Sequence, residues 1–295
     1  MGEPPISVTV RRGQIVEARH RVHAVAVQDG RVVHIAGDSD LVTFMRSAAK
    51  PLQALPLARA GGDLQLSELA IASASHLARP DQLDAVRSLL SRAGADEDDL
   101  ECGPFGDPPS RLNHNCSGKH AGMLLLAHTH GWEARGYRLP DHPVQQAAFA
   151  EVCDAAGLAR DAIGTAVDGC GVVTFALPLR SIALAFARLP TVDGAARLLA
   201  AMQAHPELIR GPGAPDTELM RTLPGWTAKG GADGLLCAAG PGAVGIALKT
   251  EDGGSRAVGP ALHTFLARLG HDLPQFASMP LWNSRGENVG EIAVE

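Results

Sequence analysis

The sequence predicts an α/β protein with a central, mostly antiparallel sheet and a helical middle region. Three observations carry this: alternating β-branched segments joined by a turn dipeptide near the start, helix-period segments through the middle, and short runs of small and β-branched residues toward the end. Strands at both ends around a helical middle imply that the two termini share one sheet.

Taken in order, segments 6–10, 23–28 and 31–35 alternate apolar and polar residues, and Asp29-Gly30 between the last two is a hairpin signal. From Leu41 the pattern becomes helix-like, with Pro51 and Pro56 bending or restarting the chain. Further helices are predicted over 80–93, 118–128, 143–156, 194–205 and 260–269, and strands over 164–167, 172–176, 225–228, 234–238 and 244–249. Residues 103–109, rich in glycine and proline, read as a loop. No repeat or linker divides the chain, so residues 1–295 are expected to form one domain, with a helical subdomain over roughly 41–160.

A net charge of −6 offers no basic surface for nucleic acid or anionic lipid. No stretch reaches the roughly 18 apolar residues of a membrane span, and the start, MGEPPISVTVRRG, lacks the apolar core of a signal peptide. The five cysteines are odd in number and scattered, which fits a reducing compartment. A cytoplasmic protein without nucleic-acid or membrane partners is the expectation.

The basic residues are 22 arginines and four lysines, Lys50, Lys119, Lys229 and Lys249. Lysine can lose its proton when buried and arginine cannot, so such scarcity draws attention to where the four sit. Lys50 follows Ser47 by three residues, which on a helix puts amine and hydroxyl on one face, as in serine acyl enzymes; a solvated helical pair has the same spacing. Lys229-Gly230-Gly231 at a strand end is similar to the lysine–glycine box of penicillin-recognising enzymes, although a simple turn reads the same way. Lys119 lies in the polar run Asn113-His114-Asn115-Cys116-Ser117-Gly118-Lys119-His120-Ala121-Gly122-Met123, and Asp168-Gly169-Cys170-Gly171 follows about 50 residues later. Two thiolates and a neutral nitrogen could hold zinc with one position open, but no paired ligand spacing supports it, and small core cysteines fit equally. Ser75-His76 reads from sequence as a helix cap before Pro80, and Lys249 as a strand residue with its ammonium in solvent.

Together these motifs resemble the asparaginase II family, the Rhizobium-type asparaginases, whose fold is similar to that of serine β-lactamases and glutaminases. The resemblance rests on Arg46-Ser47-Ala48-Ala49-Lys50-Pro51, Ser75-His76, the run from His114 to Met123, Asp168-Gly169-Cys170-Gly171 and Lys229-Gly230-Gly231-Ala232, in that order. It implies a nucleophile at Ser47 with Lys50 as its base, a second serine–lysine pair in Ser75 and Lys229, and zinc on Cys116, Lys119 and Cys170. It also implies a pocket lined by Arg46, His120 and Asp168, a homodimer, and hydrolysis of L-asparagine to L-aspartate and ammonia. Alternatives are a penicillin-recognising or glutaminase-like serine amidohydrolase, and a catalytically weakened homologue that binds an amino acid or zinc. One departure stands out. Where the family continues the second serine as S-H-S-G-E-P, this chain reads Ser75-His76-Leu77-Ala78-Arg79-Pro80.

Overall fold

The computed structural model describes residues 3–295. Eleven strands are present among them: β1 (Ile6–Arg12), β2 (Ile15–Gln28), β3 (Arg31–Ala36), β4 (Val42–Phe44), β5 (Gly164–Val167), β6 (Val173–Pro178), β7 (Thr227–Gly230), β8 (Leu235–Gly240), β9 (Val244–Thr250), β10 (Ser278–Trp282) and β11 (Asn288–Val294). Eight form one antiparallel sheet in the order β10-β11-β1-β2-β9-β8-β7, with β3 also on β2. The fold class is the α/β arrangement expected. The termini share the sheet, since β1 pairs with β11 from Val8↔Val294 to Arg11↔Glu291.

The length of β2 explains its double pairing. Its first half, polar on alternate residues, lies on β1, whereas residues 22–28 meet β9 and residues 24–28 also meet β3. That second half is almost wholly buried, as is every residue of β8, because helices cover both faces there. Helices Leu179–Arg188 and Val258–Ala267 pack on this sheet.

Between β4 and β5 the chain is helical, as the sequence suggests. Pro80–Ala93 and Pro143–Ala156 fall where predicted, each opened by proline and closed by a left-handed glycine, Gly94 and Gly157. The polar run enters the helix Ser117–His130, which crosses Leu66–Ala72 so closely that a Cβ on Gly118 would stand 2.3 Å from the Ile71 carbonyl. Only glycine permits that approach, and it seats the buried Lys119 and His120 against the middle of the protein.

Several expectations shift. The segment after Leu41 begins as strand β4, paired with β6, before turning helical at Arg46. Lys229 lies within β7 rather than after a strand. Lys249 is in β9 as expected, but its ammonium is half-buried and donates to the carbonyls of Asp233 and Thr250, both at 2.6 Å. The cap of Pro80–Ala93 is Arg79, not Ser75. No helix among the described residues is long and apolar enough to cross a membrane.

Candidate active site

Strand β7 is an edge of the large sheet, and the helical region closes over it. Lys229, fully buried, points from β7 to Ser75 Oγ at 2.9 Å and to Gly230 O at 2.7 Å. Lys50, equally buried, reaches the same Ser75 Oγ at 3.0 Å, the Ala74 carbonyl, and the Asn115 carbonyl at 3.5 Å. One hydroxyl thus lies between two amines.

Burial disfavours the ammonium form of both lysines. For Lys229 burial is the largest influence and lowers its pKa to about 7, with Lys50 and Arg210 pushing the same way and the nearby carboxylate of Asp216 opposing. The surroundings of the two amines differ. Lys50 has three acceptors for three N–H bonds, whereas Lys229 has two, with Asp216 Oδ2 farther off at 3.9 Å. Lys229 is the better placed to be neutral and accept the Ser75 proton while Lys50 donates to the same oxygen.

Ser47 occupies the 3₁₀ turn Arg46–Ala49, just before Lys50, and is half-buried where Ser75 is only 2% exposed. Among the described residues no side-chain hydrogen bond joins Ser47 to Lys50; the lysine is directed to Ser75 instead. The turn begins under strain, for Arg46 has φ +48. It is fixed on three sides: Arg46 N donates to Thr174 Oγ1 at 3.1 Å, Nε to Asp168 Oδ1 at 2.5 Å, and an Nη to Asp233 Oδ2 at 2.8 Å. Arg46 and Asp168 are therefore together beside Ser47.

Cys116, Lys119 and Cys170 converge behind the lysines. Lys119 Nζ donates to Cys170 Sγ at 3.0 Å, and the Cys116 thiol is drawn well below its ordinary pKa by its contact with Cys170, with Lys50 and Lys119 adding to the effect. The contact with Cys116, followed by burial, pushes Cys170 the other way. The negative charge that the two sulfurs share in turn keeps the Lys119 ammonium charged despite burial. Among the described residues no three His, Cys, Asp or Glu side chains gather as a metal site, so this set depends on its lysine. Two sulfurs sharing a proton beside an amine are nevertheless a donor set that fits zinc once the protons leave.

His120 is wholly buried, and burial pulls it well below its ordinary pKa, so the ring is neutral. Tyr137 Oη accepts from Glu101 N at 2.8 Å and lies 2.6 Å from His120 Nδ1, so its proton goes to that nitrogen. His120 Nε2 then carries hydrogen and has no partner among the described residues. His76, neutral with a pKa lowered to about 4 by burial, accepts from Ala78 N and donates through Nε2 to Ser117 Oγ at 2.8 Å.

Three residues without an assigned role in the sequence reading matter here. Asp216, 1% exposed, accepts from Gly230 N at 2.8 Å and anchors β7 beside Lys229. Tyr137 sets the His120 tautomer. Gln82 accepts from Leu77 N and Arg79 N and donates to the Glu207 and Arg210 carbonyls, holding the altered loop after Ser75 to the segment that also binds Ser75 N through Ile209 O. An acidic residue in a first helical turn is an ordinary sequence feature, so Asp216 gave little signal.

The model of the L-asparaginase II family matches residues 8–294. The chain belongs to the L-asparaginase II family. No curated protein matches it. Among solved structures, Mglu in its native form is 16% identical, with 96% of this chain and 73% of that one covered at a TM-score of 0.49. The Bacillus subtilis glutaminase YbgJ, in covalent complex with 5-oxo-L-norleucine, is 16% identical over 85% of this chain and 89% of its own, with a TM-score of 0.43. EstCE1, a hydrolase with promiscuous acyltransferase activity, is 14% identical over 78% and 88%, with a TM-score of 0.40. Membership of the family supports an amidohydrolase.

Proposed function

We propose that the protein hydrolyses the side-chain amide of L-asparagine through an acyl-enzyme on Ser47. The observation that carries this reading is the convergence of Lys50 and Lys229 on Ser75 Oγ beside the Ser47 turn. Two amines bridged by one hydroxyl share a proton vacancy. When Lys229 is neutral, Ser75 passes its proton to Lys229 and takes one from Lys50, leaving Lys50 neutral three residues from Ser47.

Lys50 then takes the Ser47 proton as Oγ attacks the amide carbon. Its return to the leaving nitrogen expels ammonia and leaves an aspartyl ester. Water, deprotonated by the same group, cleaves the ester to L-aspartate and restores Ser47. Backbone N–H groups of Ser47 and Ala232 are the candidate oxyanion donors: neither has a hydrogen-bond partner among the described residues. Their segments adjoin, since a Cβ on Gly231 would stand 2.9 Å from the Met45 carbonyl. A zwitterionic α-amino acid matches the adjacent charges of Arg46 and Asp168, with its carboxylate toward the guanidinium and its ammonium toward the carboxylate. Cys116, Lys119 and Cys170 would hold zinc, which when bound supplies positive charge that orients the substrate.

One observation favours a second reading. Both lysines contact Ser75 rather than Ser47, so Ser75 is the alternative nucleophile; its burial argues against it. Ammonia release from L-asparagine, with L-glutamine and nitrocefin alongside, tests the function. Faster release from asparagine with nitrocefin intact is expected. Nitrocefin turnover would point to a penicillin-recognising hydrolase, and no release from either amide to an amino-acid-binding homologue.

A further inference from the structure

Beside the end of β7, lined by Gly230, Gly231 and Asp216, lies a cavity of about 300 Å³. Its floor is apolar, made of Leu235, Leu236, Val258 and Pro215. Its polar groups are of a different kind. Arg210 lines it, half-buried, and its guanidinium makes no hydrogen bond or ion pair among the described residues. Arg256, exposed, lines its rim: Nε donates to His20 Nε2 at 2.9 Å, and His20 Nδ1 is held by Asp252 Oδ2 at 2.7 Å. That chain orients Arg256 and leaves its two Nη groups without a partner among the described residues. Ser255 adds a hydroxyl.

The one carboxylate on the wall does not answer these cations. Asp216 accepts from Thr217 N on Oδ1 at 3.1 Å and from Gly230 N on Oδ2 at 2.8 Å, and it lies toward Lys229. Arg46, Arg59, Arg79, Arg92 and Arg180, by contrast, each pair with a carboxylate. Two unanswered guanidinium groups over an apolar floor form a receptor for anionic groups joined by a short hydrocarbon stem.

We propose that this cavity, which adjoins the catalytic centre but is lined by none of Ser47, Lys50, Ser75 or Lys229, is a second ligand site that binds a small dicarboxylate through Arg210 and Arg256. Asp216 and Gly230 form the partition between it and Lys229, so an occupant would lie one residue layer from the amine. Under the proposed function the reaction's product, L-aspartate, has this chemistry, and so do dicarboxylates from other sources.

Isothermal titration of the full-length protein with succinate, and separately with L-aspartate, tests the site. Succinate is expected to bind wild-type protein; Arg210→Gln and Arg256→Gln should each weaken it at least about tenfold, and Arg210→Lys should retain part of the binding. Asp168→Asn, which removes a charge from the catalytic pocket at a side chain bonded only to Arg46 and Gly169, neither of them on the cavity wall, should leave succinate binding unchanged. L-aspartate binding that also survives Asp168→Asn supports the site with the product as its ligand, and succinate binding alone supports it with another source. Absence of succinate binding to wild-type protein would overturn the proposal. So would binding lost with Asp168→Asn, or binding kept when both Arg210 and Arg256 are glutamine in a protein whose melting temperature is unchanged.

Discussion

Replacing Asp216 with asparagine tests how the lysine pair is set. Asp216 Oδ2 lies 3.9 Å from Lys229 Nζ, with both side chains almost wholly buried. At an effective dielectric constant of about 20, unit charges at that distance attract by about 4 kcal/mol, equivalent to about three pKa units. This attraction opposes the burial that brings Lys229 down to about 7. The sign follows directly. Lys229 must be neutral to accept the Ser75 proton, so wild-type activity should rise as pH increases through about 7 and fall below it. Asparagine keeps an oxygen for Gly230 N but removes the charge, so Lys229 stays neutral to lower pH. The acidic limb of kcat/KM for ammonia release should therefore move down by at least about one unit, with about three as the ceiling. An acidic limb that stays in place, or moves up, would refute the role given to Lys229 and its carboxylate.

Ser75→Ala should lower kcat by about 10² to 10⁴ while leaving KM nearly unchanged, because it removes the bridge between the amines rather than a substrate contact. Steady-state kinetics read both constants. Ala78→Gly should stabilise the fold by about 1 kcal/mol, since Ala78 has φ +57 and an L-residue there costs about 1–2 kcal/mol. Calorimetry should show a melting temperature higher by about 2 °C or more. Cys116→Ala and Cys170→Ala should each lower the zinc bound per protein, measured by plasma emission, and an unchanged metal content would remove zinc from the account.

Much of the fold was legible because local chemistry agreed with the final structure. The Asp29-Gly30 hairpin and the helices opened by Pro80 and Pro143 carry their own punctuation. The hairpin β10–β11 did not declare itself, for Pro280 within a strand argues locally against one; here it sits on a sheet edge, where a missing N–H is tolerated. β4 was hidden by its brevity, its three residues being fixed only by pairing with β6.

The candidate site was legible as a set of residues but not as a set of pairings. Scarce lysine pointed to Lys50, Lys119 and Lys229, and all three are buried at the centre. Helical spacing suggested that Lys50 serves Ser47 directly, yet its amine goes to Ser75, 25 residues on, where Lys229 arrives from 154 residues away. No local periodicity reports contacts of that separation. The family glycine missing after Ser75 has a plain physical counterpart: Ala78 occupies a left-handed conformation that glycine would adopt without strain, and Gln82 holds the loop in place. Asp216 and Tyr137 were silent for the same reason as the lysine pairing, since their importance lies in partners distant along the chain.

The central claim is that the acyl group is carried by Ser47 and that Ser75 only relays protons. The most direct test is to treat the protein with the diazoketone analogue of L-asparagine, digest it, and map the covalent label by mass spectrometry. The label is expected on Ser47, and it should vanish in Ser47→Ala while the protein stays folded. A label on Ser75, or continued ammonia release by Ser47→Ala, would contradict the account.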